Sequence, residues 1–104
     1  MTKHSVPKHF QEIKKRHGTF FDALEQLGNV TRKEGPIDEK TSHLIQLAAA
    51  AAIRSEGAVH SHVRRATEAG ATREEIHHTL LLLTTTIGFP TMAAALSWAD
   101  DILT

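Results

Sequence analysis

The chain contains no cysteine. Without a thiol there are no disulfides, no thiolate or sulfenate chemistry and no sulfur-ligated metal, so any redox mechanism that cycles through sulfur is excluded by composition alone. Tyrosine is also absent and aromatic residues make up only 5% of the chain, whereas alanine is abundant. Helices can then approach closely through small side chains, but the core of one subunit is thin, which makes a homo-oligomer the expected state. Neither sign of charge is in excess: 12 Lys and Arg balance 12 Asp and Glu, and a chain with no net field has no general attraction to nucleic acid or anionic lipid. No apolar run is long. The longest, Leu47 to Ile53, is far below the ~20 residues that span a bilayer, and the opening Met-Thr-Lys-His-Ser lacks the apolar region of a signal peptide. These absences together predict a cytoplasmic protein with no membrane and no nucleic-acid partner.

What is present is helical. The chain has 104 residues, enough for a single domain over residues 1–104 and one hydrophobic core. Phe10, Ile13, Phe20, Phe21, Leu24 and Leu27 follow a mostly helical spacing, interrupted near Gly18, and predict a first helix that ends at Gly28. Lys14, Lys15, Arg16 and His17, with Glu12 nearby, read as a solvated face of that segment. Residues 29–36 are polar, with Gly35 and Pro36 as breakers. Asp38 can then cap a second helix running to about Arg54, with Glu39 in its first turn. The later half of that helix is apolar on every face, which predicts a central element buried on most sides. Ser55, Glu56 and Gly57 break it, and a third helix extends through His60, His62, Val63 and Ala66 to a cap at Gly70. Thr72 and Glu75 have the spacing of a capping box and open a fourth helix through Ile76, Leu80 to Leu83 and Ile87. Gly88 ends it. Pro90 suits the first turn of a fifth helix over residues 91–103, with Met92, Leu96 and Ile102 as core candidates. The expected fold class is all-α, about five helices, with no strand.

Reactive side chains are densest at residues 55–62, Ser-Glu-Gly-Ala-Val-His-Ser-His, where one helix stops and another starts. The start of a helix offers unpaired N–H groups and the positive end of a dipole, a place where an anionic group of a small-molecule ligand is held. On spacing alone the same residues also read as a cap, a first-turn acid and surface histidines. Both readings stand at this point.

The segments Asp38-Glu39-Lys40-Thr41, Leu44-Ile45, Ala48 to Ala52, Glu56, His62, Arg64, Ala66, Gly70-Ala71-Thr72-Arg73-Glu74-Glu75-Ile76 and Gly88-Phe89-Pro90 together resemble the carboxymuconolactone decarboxylase family, which includes the AhpD-like (alkylhydroperoxidase-like) proteins. The resemblance covers roughly residues 20–103 and implies an AhpD-like helical domain, with assembly into trimers or hexamers. In the peroxidase branch a Cys-x-x-Cys-x-x-x-His motif does thiol chemistry with an upstream Glu. Here the matching positions hold Ser55, Ala58 and His62, with His43 in place of the Glu. Serine cannot pass through sulfenate and disulfide states and alanine offers no resolving atom, so that peroxidase mechanism is excluded.

The decarboxylase branch also lacks cysteines and carries a Glu and a His at positions matching Glu56 and His62. The resemblance therefore implies a carboxy-lyase that needs no cofactor and acts on a small unsaturated lactone or carboxylate. His62 is its proton donor, Glu56 orients it or accepts a proton, and His43 joins the relay. Arg54, Ser55 and His60 are the candidate substrate-binding residues, with Arg54 on a carboxylate. This chain departs from that branch in its shorter N-terminal region and fewer cationic residues, which leaves open a second reading: a degenerate member that serves as a ligand-binding or structural oligomer.

A metal site is the remaining possibility raised by 8 histidines in 104 residues. His60 and His62, two residues apart, are turned about 200° from each other on a helix. His77 and His78 are adjacent and cannot share a face, and at least one is expected at a subunit contact. No H-x-x-x-H pair supplies two same-face imidazoles, so histidine spacing assigns no metal ligand.

Overall fold

The computed structural model describes residues 6–103. By their internal contacts these fall into two compact units, one up to Asp38 and one from Glu39 onward. All regular structure among the described residues is helical: six helices and one additional single turn.

The first unit contains α1 (Lys8–Arg16) and α2 (Gly18–Lys33). The interruption expected near Gly18 falls on His17, whose φ of −128° and ψ of 52° leave the helical region for one residue. Its N–H still bonds the Ile13 carbonyl and its C=O accepts from Phe21, so His17 closes one helix and opens the next. Phe21 meets the rings of Phe10 and Phe20 edge-on, at centroid distances of 5.1 and 5.5 Å. Lys14 pairs with Glu25 at 3.3 Å on an exposed face, as the solvated reading requires. The expected stop at Gly28 is corrected: α2 continues to Lys33, so the first part of the supposed polar loop is helix. The Thr31 hydroxyl donates to the Gly28 carbonyl at 2.9 Å, and Arg32 folds its guanidinium over the open side of Gly28. The helix thus continues through a residue that costs about 1 kcal/mol in its interior.

The second unit is built on the hairpin of α3 (Glu39–Ala52) and α4 (Glu56–Glu68), followed by α5 (Arg73–Leu81), the single turn α6 (Thr84–Ile87) and α7 (Phe89–Ile102). In α3, His43, Leu47, Ala50 and Ala51 fall on one helical face and are buried. In α4 the buried positions are Val59, Val63 and Ala66. In α7 they are Thr91, Met92, Ala95 and Ala99. Ala50, Ala51, Ala66, Ala95 and Ala99 belong to one cluster with Leu47, Ile76 and Leu80, so small side chains form much of the contact surface. The expectation that α3 is buried on most sides is corrected. Ile45 and Ile53 are 51% and 75% exposed, because neighbouring helices cover one face of α3 and leave the other open. The predicted fourth helix is also divided: Leu82 and Leu83 interrupt it before Thr84, and Gly88 ends the turn with φ of 89°.

The start of α5 is defined by a complete capping box, with the Glu75 N–H on the Thr72 hydroxyl at 3.0 Å and the Thr72 N–H on Glu75 Oε1 at 2.9 Å. Glu75 Oε2 also takes Lys40 at 3.0 Å, joining α5 to the first turn of α3. The Thr72 amide and then the Lys40 ammonium hold the Glu75 carboxyl below its ordinary range. A lowered folded-state pKa means that this support is present above the usual Glu range and is lost as pH falls through the lowered value. Thr72→Ala removes the acceptor and is expected to cost about 1 kcal/mol, a fall in Tm of about 4–8 °C by calorimetry. An unchanged Tm would show that Lys40 alone secures this helix start.

Candidate functional site

Three residues turn α3 into α4, and their backbone is unusual. The Ser55 N–H reaches back to the Ala50 carbonyl at 3.0 Å and the Arg54 N–H to Ala51 at 3.1 Å, the bond pattern of a Schellman helix end. The same pattern closes α4, where Ala71 bonds Ala66 at 2.9 Å and Gly70 bonds Thr67 at 3.0 Å. There the left-handed position is held by Gly70, at φ of 101°; at the α3 end it is held by Arg54, at φ of 58°. A left-handed conformation costs a residue with a Cβ roughly 1–2 kcal/mol. The Arg54 guanidinium donates to the hydroxyl of buried Thr91 at 2.8 Å, which anchors it to the first turn of α7. Ser55 serves as N-cap of α4, its hydroxyl accepting the Ala58 N–H at 3.3 Å. That bond uses one of the amides an anion would have found there.

His43 projects from the buried face of α3 and His62 from the partly buried edge of the α4 face. Their rings lie 5.8 Å apart between centroids and are tilted by 38°, so the two imidazoles are neighbours across the α3–α4 hairpin. Glu56 is elsewhere. Six residues along a helix turn it about 240° from His62, and it sits on the side of α4 that carries His60. The ligand atoms of Glu56, His60 and Asp101 lie within 4.8 Å of one another. The structure therefore brings His43 and His62 together and places Glu56 and His60 in a second cluster, with Arg54 and Ser55 at the corner between α3 and α4. His77 pairs within the chain with Asp100 at 2.7 Å, and His78 is exposed. Thr91 and Asp101 escape sequence reasoning. Nothing local marks Thr91 as a partner of Arg54, whereas Asp101 carries a faint signal, one of two adjacent carboxylates in the last turn of a helix.

Residues 18–101 match the model of the carboxymuconolactone decarboxylase family. The chain belongs to that family. Among solved structures, the apo form of a carboxymuconolactone decarboxylase family protein from Legionella pneumophila is similar, with a TM-score of 0.75 at 26% identity over 92% of this chain and 88% of that one. No curated protein matches at a significant level. Because the chain has no cysteine, this family member cannot perform the cysteine-based peroxidase reaction. Among the described residues, no helix is long and apolar enough to cross a membrane.

Proposed function

We propose that this family member is a cofactor-independent acid–base enzyme, a carboxy-lyase acting on a small unsaturated lactone or carboxylate. The observation that carries the reading is the facing of His43 and His62 across the α3–α4 hairpin. Decarboxylation breaks the bond between carbon and carboxylate, carbon dioxide leaves, and the electron pair passes into the conjugated carbonyl of the lactone. A general acid then protonates carbon, and solvent restores the acid. His62, partly exposed, is the proton donor; His43, buried behind it, orients it and shares the relay. Arg54 binds a carboxylate that remains on the substrate, since a guanidinium on the departing one would hold its charge back. From Ser55 to His62 is roughly 10 Å of helix rise, a span that a small lactone and the reach of an Arg side chain cover together. Glu56 and His60 take no part in this step. Carbon dioxide release from 4-carboxymuconolactone is the test: turnover above the uncatalysed rate is expected, and no turnover with it or related unsaturated lactone acids overturns the reading.

A second reading, a ligand-binding or structural oligomer, is favoured by one observation. Ile45 on α3 and Ile53 just after it, Leu81 at the end of α5 and Leu82 beyond it, and Phe89 at the start of α7 are all exposed. We propose a homo-oligomer, a trimer or hexamer, that covers apolar surface of this kind. Sedimentation is expected to give a mass several times that of one 11.4 kDa chain, and Ile53→Glu to shift it toward the monomer. A monomeric natural chain at micromolar concentration removes this reading without touching the first.

A further inference from the structure

We propose that Glu56, His60 and Asp101 form a binding site for a divalent first-row transition metal ion, separate from the His43–His62 pair. Glu56 and His60 are four residues apart and share one face of α4, the spacing at which two side chains ligate one ion. Asp101 comes from the last turn of α7, and all three ligand atoms lie within 4.8 Å of one another. His60 Nε2 is already 3.1 Å from Asp101 Oδ2; tetrahedral ligands about 2.0–2.1 Å from zinc stand ~3.3 Å apart. Glu56 is exposed and needs only a rotamer adjustment to close the third side. One imidazole and two carboxylates suit zinc and its neighbours in the first transition row, with water completing the shell.

Charge supplies an independent reason. Asp100 and Asp101 both sit in the last turn of α7, the negative end of the helix dipole, and no basic residue of that turn compensates them. Asp100 is answered by Arg73 at 3.8 Å and His77 at 2.7 Å. Asp101 has His60 alone, and among the described residues no Lys or Arg is paired with either Asp101 or Glu56. Asp101 at that end and Glu56 in the first turn of α4, where the dipole offsets part of its charge, share a single imidazole, an arrangement that attracts a divalent cation. Histidine spacing alone does not find this site, because it has one histidine, and its third ligand lies 41 residues away from His60.

The site is tested by titrating Zn2+ into the full chain by calorimetry, with the Tm in saturating Zn2+ as a second readout. One site per chain is expected, with a rise in Tm because the ion binds the folded state. Glu56→Gln and Asp101→Asn, near-isosteric changes at exposed positions, are each expected to weaken binding at least tenfold and to abolish most of the rise; His60→Ala removes the site. His77→Ala, in the neighbouring pair, is the control and leaves the affinity unchanged. Absence of binding to the natural chain overturns the proposal. So does undiminished affinity in the Glu56 and Asp101 variants, which assigns the ion to other histidines and leaves His60–Asp101 as an ion pair only. None of these readouts depends on turnover, so they stand or fall apart from the decarboxylase reading.

Discussion

His62→Ala is expected to lower kcat for decarboxylation by about 10²–10⁴-fold, the range for loss of a positioned general acid, and to leave KM within a few-fold of the natural value. The split between the two constants is the informative part. An imidazole that only helped to hold the substrate would raise KM and leave kcat in place, whereas one that delivers a proton to carbon acts at the transition state. His43 is a positioning residue in this scheme, so His43→Gln, which keeps a polar side chain in the buried site, is expected to cost less in kcat and to move the pH profile. His43→Ala is the poorer test, because emptying a buried position on the α3 face that carries Leu47 and Ala50 also lowers stability. If His62→Ala retains full kcat, the ring pair is a packing feature of the hairpin and the acid must be sought elsewhere.

The parts of this fold written in local chemistry are the parts legible in the sequence. Thr72 and Glu75 specify the start of α5 within four residues, and Gly70 and Gly88 mark turns through the positive φ that both adopt. Failures occur where a distant or weak term decides. Gly28 is a helix stop by propensity, but the ~1 kcal/mol it costs does not end α2, which runs on to Lys33. The apolar run of α3 reads as burial on most sides because periodicity reports which faces are apolar and not which are covered. At the candidate site, the resemblance singles out His62 and His43, whose rings the structure places side by side, and the break in the helix singles out Arg54 and Ser55. The partition of Glu56 away from His62 follows from the 3.6-residue period once the start of α4 is fixed. Thr91 and Asp101 enter only through the packing of α7, a tertiary choice that spacing along the chain does not encode.

Arg54→Gly is expected to raise KM for the carboxylate substrate by about 10–100-fold, corresponding to loss of a charge-assisted hydrogen bond worth about 1.5–3 kcal/mol, while changing stability little. Two effects on stability oppose each other. Glycine relieves roughly 1–2 kcal/mol of left-handed strain at φ of 58°, and the variant loses the bond to Thr91 Oγ1. Arg54→Ala separates them: it loses the guanidinium yet keeps a Cβ in the strained conformation, so it should match the glycine variant in KM and fall below it in Tm. A comparison within the chain motivates the test, since the equivalent helix end at Gly70 uses glycine and carries no strain of this kind. A residue kept in an unfavourable conformation where glycine is the easier choice is retained for its side chain. That side chain has one structural partner, Thr91, and four further N–H donors in a planar fork suited to a carboxylate. Should Arg54→Gly lower Tm and leave KM untouched, the guanidinium is a clamp between the α3 end and α7, and the substrate carboxylate is held by another group.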